Sequence, residues 1–143
     1  MADRNLSDAL HLLMHAYKSH LRRAVQADGV SLPGMHIRAL KSIASASFVI
    51  ALTVAQRLRR DKGQVARVLA DLEASGLIAR RENPLDRRSQ LLELGADARA
   101  LLARIAVFEE DTARRMTRGL SGQEVQQFMR LAQQMADNLN EPH

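Results

Sequence analysis

The stretch that most constrains this chain runs from Thr53 to Leu94, TVAQRLRRDKGQVARVLADLEASGLIARRENPLDRRSQLLEL. Val65, Val68, Leu69 and Leu72 recur at helical spacing and fall on one side of a helix. Lys62, Gly63, Gln64, Ala66, Arg67, Ala70 and Asp71 are left around the other side. Asp61 stands where an N-cap is wanted, and Gln64 follows at capping-box spacing. Gly76, after Ser75, supplies the left-handed residue on which such a helix stops. A short helix precedes Asp61. Beyond Gly76, Leu77 to Arg81 reads as a strand, Asn83-Pro84 as a turn, and Gln90 to Leu94 as a returning strand with Leu92 and Leu94 on one face.

Helix, turn, helix and basic hairpin in that order give a mainly α fold with a small β wing. The expected architecture is a winged helix-turn-helix over residues 32–95, flanked by helical regions over 6–27 and 97–140 that pack against other helices of this subunit or of a second one. The exposed side of the second helix is small, polar and basic near its N-terminus. A helix entering the major groove reads bases with those residues: long donors reach base edges, and a small side chain admits close approach. Lys62, Gln64 and Arg67 have that chemistry, and Ala66 is suited to a thymine methyl. In the hairpin, Asp86, Arg87 and Arg88 form a wing tip of the kind drawn to the negative potential of a narrow minor groove. The competing reading of the arginines at 80, 81, 87 and 88 is a solvated hairpin, and it weakens directly after a helix-turn-helix. Arg57, Arg59 and Arg60 are candidates for phosphate contacts.

The run VAQRLRRDKGQVARVLADLEASGLIARR, followed by NPLDRRSQLLEL, resembles the DNA-binding core of the multiple-antibiotic-resistance regulator (MarR) family, with the match extending over about residues 32 to 105. In that family an Asp-x-Arg wing tip follows a Leu-Glu-x-x-Gly-Leu-Ile signature. The resemblance implies that Asp86 fixes the loop while Arg88 enters the minor groove, and that the terminal helices interlock across a twofold axis. It also implies a small, often aromatic or anionic, effector between the dimerisation helices and the DNA-binding lobe, for which His36 and Arg38 are the candidates. Two positions depart from the pattern. Ile50-Ala51-Leu52 stands where the family opens the first helix of the pair on Thr or Ser, and Leu94-Gly95 replaces Leu-Thr after the wing.

At 143 residues and 46% hydrophobic the chain suits one domain, and with only 3% aromatic residues its core must be aliphatic. Lys and Arg outnumber Asp and Glu by 21 to 16. The excess is local: from Arg57 to Arg67 five basic residues face Asp61 alone, whereas Glu109 to Glu141 holds four basic and six acidic. That asymmetry puts positive charge on the reading head. The absence of cysteine excludes disulfides and Cys-ligated zinc. No apolar run approaches the roughly 20 residues of a membrane span and no signal-peptide core is present, so a cytoplasmic location is expected.

In the first helix, Leu6, Leu10, Leu13, Tyr17 and Leu21 form a single stripe. His11 and His15, four apart, lie off that stripe with no carboxylate or third His to complete a metal site, and a solvated or interface face is the better reading. His20 borders the stripe as a packed, hydrogen-bonded histidine. Pro33 suits the first turn of the next helix, which is expected to reach about Ala46 and whose His36, Leu40 and Ile43 share a face. Phe48 to Ile50 is a candidate third strand beside the wing. A long helix follows from about Asp97 to Arg118, with Leu101, Ile105, Phe108 and Thr112 on its buried face, and Gly119 ends it. Ser121 and Glu124 then form a capping box for a last helix, along which Val125, Phe128, Ala132, Met135 and Leu139 make a packing seam. Two seamed termini imply that they pack together.

The function expected is a sequence-specific, homodimeric transcriptional regulator of double-stranded DNA, a repressor on a near-palindromic operator that an effector releases. An architectural nucleic-acid binder without an effector and a protein-interaction module are the alternatives. No Walker loop, His-Glu-x-x-His, Gly-x-Ser-x-Gly or nucleophile beside a base is present, so neither catalysis nor a cofactor is expected.

Overall fold

The structure is a computed structural model and describes residues 5–142. In chain order it runs α1 (Leu6–Ala27), α2 (Gly34–Ala44), α3 (Ala51–Leu58), α4 (Lys62–Ala74), β1 (Ile78–Glu82), β2 (Gln90–Leu94), α5 (Ala96–Met116) and α6 (Gly122–Asn140). The chain divides into two compact units, Leu21–Phe108 and the remainder at both ends. The expected fold class, mainly α with a small β wing, is what the chain adopts.

In the unit Leu21–Phe108, the core is aliphatic, as the composition requires. Leu40 of α2, Val54 of α3, Val65, Leu69 and Leu72 of α4 and Val49 before α3 are almost fully buried together. All four α4 seam residues are inside, and all seven residues assigned to its other side are exposed. Burial of one such side chain stabilises the fold by roughly 1.5–3 kcal/mol, so the seam alone fixes the roll of α4 about its axis. A smaller cluster of Val25, Val30 and Ile105, with Ile37 and Phe108 against it, closes the other side of this unit.

The hairpin pairs antiparallel with Ile78 opposite Leu94, Arg80 opposite Leu92 and Glu82 opposite Gln90. Its two strands are the whole sheet among the described residues. Strict alternation along β2 does not hold: Leu91 and Leu92 are both buried, and Leu94 is only half-buried. The expected strand at Phe48–Ile50 does not form. One bond, from the Leu92 N–H to the Val49 carbonyl at 2.8 Å, joins it to the sheet, and the ladder ends there because Ile50 is already the N-cap of α3. Helix ends differ slightly from expectation. Pro33 is the N-cap of α2, with an extended ψ of 153°, and lies just outside its first turn; α2 ends at Ala44 and α5 at Met116, not Ala46 and Arg118.

In the terminal unit, His20 Nδ1 lies 3.1 Å from the Thr112 hydroxyl, and Thr112 is buried. His20 is therefore the packed, hydrogen-bonded histidine its position suggests. His11 is exposed and its Nδ1 meets the Ser7 carbonyl in the preceding turn. Gly119 sits at φ 84° after α5, and Ser121 and Glu124 exchange both bonds of the capping box, 3.1 and 2.9 Å, which starts α6 cleanly. The stripes of α1 and α6 do not cover each other within one chain. Leu6 is 68% exposed, Phe128 53% and Leu139 85%. No helix among the described residues is long and apolar enough to cross a membrane.

Candidate nucleic-acid interface

α3 starts with no side-chain cap, as Ile50 at its N-cap position dictates, and ends on Arg59 in the left-handed region, φ 52° and ψ 45°. Arg59 is the one non-glycine residue at positive φ among the described residues. That conformation costs about 1 kcal/mol in a residue with a Cβ. It turns the chain sharply, and the Arg59 and Arg60 N–H groups still bond back to carbonyls of the last turn of α3, including Ala55. Two residues later Asp61 caps α4, its Oδ1 accepting the Gly63 N–H at 2.7 Å. The expected capping box is half made. Asp61 bonds the second helical N–H and not the third, and Gln64 does not reach back. Gln64 therefore stays on the outer face with Lys62, Ala66 and Arg67, all exposed. Gln64 and Arg67 are one turn apart, as are Lys62 and Ala66, so two short rows lead away from the positive end of the helix dipole.

The wing is held by side chains that turn back on its own backbone. Asn83, only 7% exposed, accepts the Leu85 N–H on Oδ1 at 3.0 Å and donates from Nδ2 to the Ser89 hydroxyl at 3.1 Å. Asp86 Oδ1 accepts the Arg88 N–H at 2.9 Å. Backbone bonds from Asp86 to the Asn83 carbonyl and from Ser89 to the Asp86 carbonyl close the loop, both 3.3 Å. Asp86 thus braces the tip with its side chain, and Arg87 and Arg88 are exposed on the turn. The arginines lower in the hairpin are engaged elsewhere: Arg80 pairs with Glu73 of α4 at 3.0 Å, and Arg81 with Glu93 across the strands at 2.5 Å.

The phosphate candidates separate. Arg59 and Arg60 are exposed beside the turn. Arg57 instead reaches the end of α2, where Nη1 donates to the Ser42 carbonyl at 3.0 Å and also to the Ser45 hydroxyl. The two effector candidates separate as well. His36 Nε2 lies 3.2 Å from Asp71 Oδ2 on α4, while its Nδ1 is buried with no partner among the described residues. Arg38 is exposed on a different side and lines an open cleft with Lys41 and Arg57. Two residues apart on a helix lie roughly 200° apart, so one pocket on one face of α2 does not collect both. No group of three or more His, Asp or Glu suited to a metal occurs among the described residues.

Sequence reading missed three of these features. Asn83 gave its signal as a turn residue before Pro84 but not as the buried organiser of the tip. Neither the Arg57 clamp nor the His36–Asp71 pair has a local signature, since each joins separate helices.

A family model described as MarR family matches residues 31–89, from just before α2 to the end of the wing loop. The chain is 27% identical over 135 residues to the transcriptional regulator HosA of Escherichia coli O111:H-, covering 94% of this chain and 98% of that protein. Among solved structures it is similar to a mutant MarR from E. coli complexed with operator DNA (TM-score 0.71, 22% identity, 92% and 99% of the two chains). It is similar too to Bordetella bronchiseptica BpsR, whose DNA binding is regulated by 6-hydroxynicotinic acid (TM-score 0.66, 26% identity, 90% and 98%).

Proposed function

The chain belongs to the MarR family of transcriptional regulators, and from that premise we propose that it is a homodimer that represses transcription from a near-palindromic operator and is released by a small aromatic or anionic effector. One observation carries the DNA half of this reading: exposed donors on α4 and a braced pair of arginines on the wing belong to the same unit, Leu21–Phe108. In this reading Gln64 and Arg67 contact base edges, with Ala66 admitting close approach and Lys62 near the positive end of the helix. Arg88 enters the minor groove, Arg87 follows the adjacent phosphates, and Arg59 and Arg60 hold the backbone beside the turn. Arg57 contributes charge from its place at the end of α2.

The dimer is supported by the open apolar stripes of α1 and α6, since surface of that kind marks an interaction site. A twofold axis would present two copies of α4 about one DNA turn apart, roughly 34 Å. The effector is supported by the regulation of BpsR by 6-hydroxynicotinic acid; its release of the operator would be a shift toward a dimer with badly spaced reading heads. Selection of bound duplexes from a random pool at about 150 mM salt tests the proposal. The expected product is an inverted repeat with half-sites about 10 bp apart. Enrichment without a motif would replace it with an architectural role, and no enrichment with a protein-binding one.

A further inference from the structure

We propose that the cleft between α2 and α3 is an oxyanion site. Arg38 and Lys41 of α2 and Arg57 of α3 line it together with Ser42, Ser45 and Leu58, around about 510 Å3, and no carboxylate is among the lining residues. Arg57 is held in place there by its bonds to the Ser42 carbonyl and the Ser45 hydroxyl. Both acceptors are neutral, so the guanidinium keeps its charge while its orientation is fixed, and the bonds use only part of its five-donor fork. A cation positioned in advance loses little freedom when an anion arrives.

Ser42 is the second, independent observation. Ser42 lines the cleft at 7% exposure, and its Oγ is buried with no hydrogen-bond partner among the described residues. A buried hydroxyl normally has a partner, and one left without is a place where an acceptor gains from arriving. Capping of the α2 carbonyls explains Arg57 and Lys41, both suited to a helix C-terminus, but it explains neither Arg38 at the same opening nor the orphaned Ser42.

The cleft is shallow and open and has three cationic side chains at its opening, which suits one oxyanion headgroup and not a buried ligand. That oxyanion has two sources, a phosphodiester of the DNA backbone beside the reading head or a free phosphate or carboxylate. The first rests on the DNA-binding reading above; the second does not.

The test uses the full chain and the double variant Arg38→Gln/Lys41→Gln, both exposed positions. Inorganic phosphate is titrated against chloride at constant ionic strength while backbone amide shifts are followed. The wild type is expected to show a saturable response confined to residues 38–45 and 57–58, with Kd at least fivefold weaker in the variant. The salt dependence of binding to a duplex is measured alongside, with Arg88→Ala as a reference. A DNA phosphate in the cleft lowers the log–log slope of the double variant by about 0.9 for each phosphate that is no longer neutralised, with sequence preference unchanged. A free anion leaves the slope unchanged while the phosphate response disappears. No saturable response in the wild type together with an unchanged slope overturns the proposal. If Arg88→Ala weakens DNA binding in that case, the regulator reading stands and only the cleft falls. If instead the wild type binds no duplex but keeps a saturable phosphate response that is absent from the variant, the cleft stands and the regulator reading falls.

Discussion

The reading head and the terminal helices handle apolar surface in opposite ways. Within Leu21–Phe108 the leucines and valines of α2, α3 and α4 are buried against one another, and the polar groups at the N-cap of α4 and the wing tip are matched locally. On α1 and α6 the large apolar residues stand in solvent, Leu6, Leu10, Phe128, Met129 and Leu139 each more than half exposed. The first region is finished within one chain, and the second is not. Under the proposed dimer, recognition belongs to the finished part, and its spacing would be set by the unfinished part once a second copy covers it.

The largest expected effect comes from the unfinished part. Phe128→Glu with Met135→Glu should yield a folded monomer in sedimentation velocity and weaken binding to a two-half-site duplex by about 10²–10⁴-fold, the advantage of linked over single binding. An intact dimer would remove the α6 seam from the interface. Leu69→Ala acts on the finished part. With Leu69 fully buried, the loss should be about 2–5 kcal/mol in denaturant unfolding, with a proportionate fall in the fraction able to bind. A loss below about 1 kcal/mol would mean that the core around α4 relaxes to fill the space.

Arg67→Ala should then cost about 1–3 kcal/mol at one base position if the contact is bidentate, read by competition between duplexes that differ at that position. A uniform loss over all sequences would make Arg67 a phosphate contact. The smallest effect is expected from Asp61→Ala, about 1 kcal/mol of stability from removal of the bond to the Gly63 N–H, with the dimer unaffected. No change would show that the positive end of α4 is satisfied by solvent.

How far the sequence reached follows the same division. α4 was legible because its seam is periodic and its ends carry Asp61 and Gly76, both local signals, and the hairpin strands were legible for the same reason. The capping box at Asp61 was only half right, since the carboxylate settled on the nearer Gly63 N–H, whereas Ser121 and Glu124 completed theirs. Features set by the approach of separate elements were not legible: Arg57 on Ser42 depends on where α3 ends relative to α2, and the lone Leu92–Val49 bond depends on where the chain leaves the sheet to cap α3. His36 and Arg38, the effector candidates that the resemblance implies, lie on different sides of α2, His36 beside Asp71 and Arg38 at the cleft with Lys41 and Arg57. The apolar stripes of the termini were legible as stripes, but periodicity carries no information on what covers them, and a single chain leaves both open.

The most direct test of this division is a duplex comparison. Take the inverted repeat recovered by selection and insert about 5 bp between its half-sites, half a helical turn, which moves the second half-site to the opposite face of the DNA. If finished reading heads are held at a fixed spacing by the paired terminal helices, affinity should fall at least 100-fold while each half-site keeps its sequence preference. Equal affinity for the two duplexes would contradict the account, because it would mean that the reading heads act independently and the open stripes of α1 and α6 set no spacing.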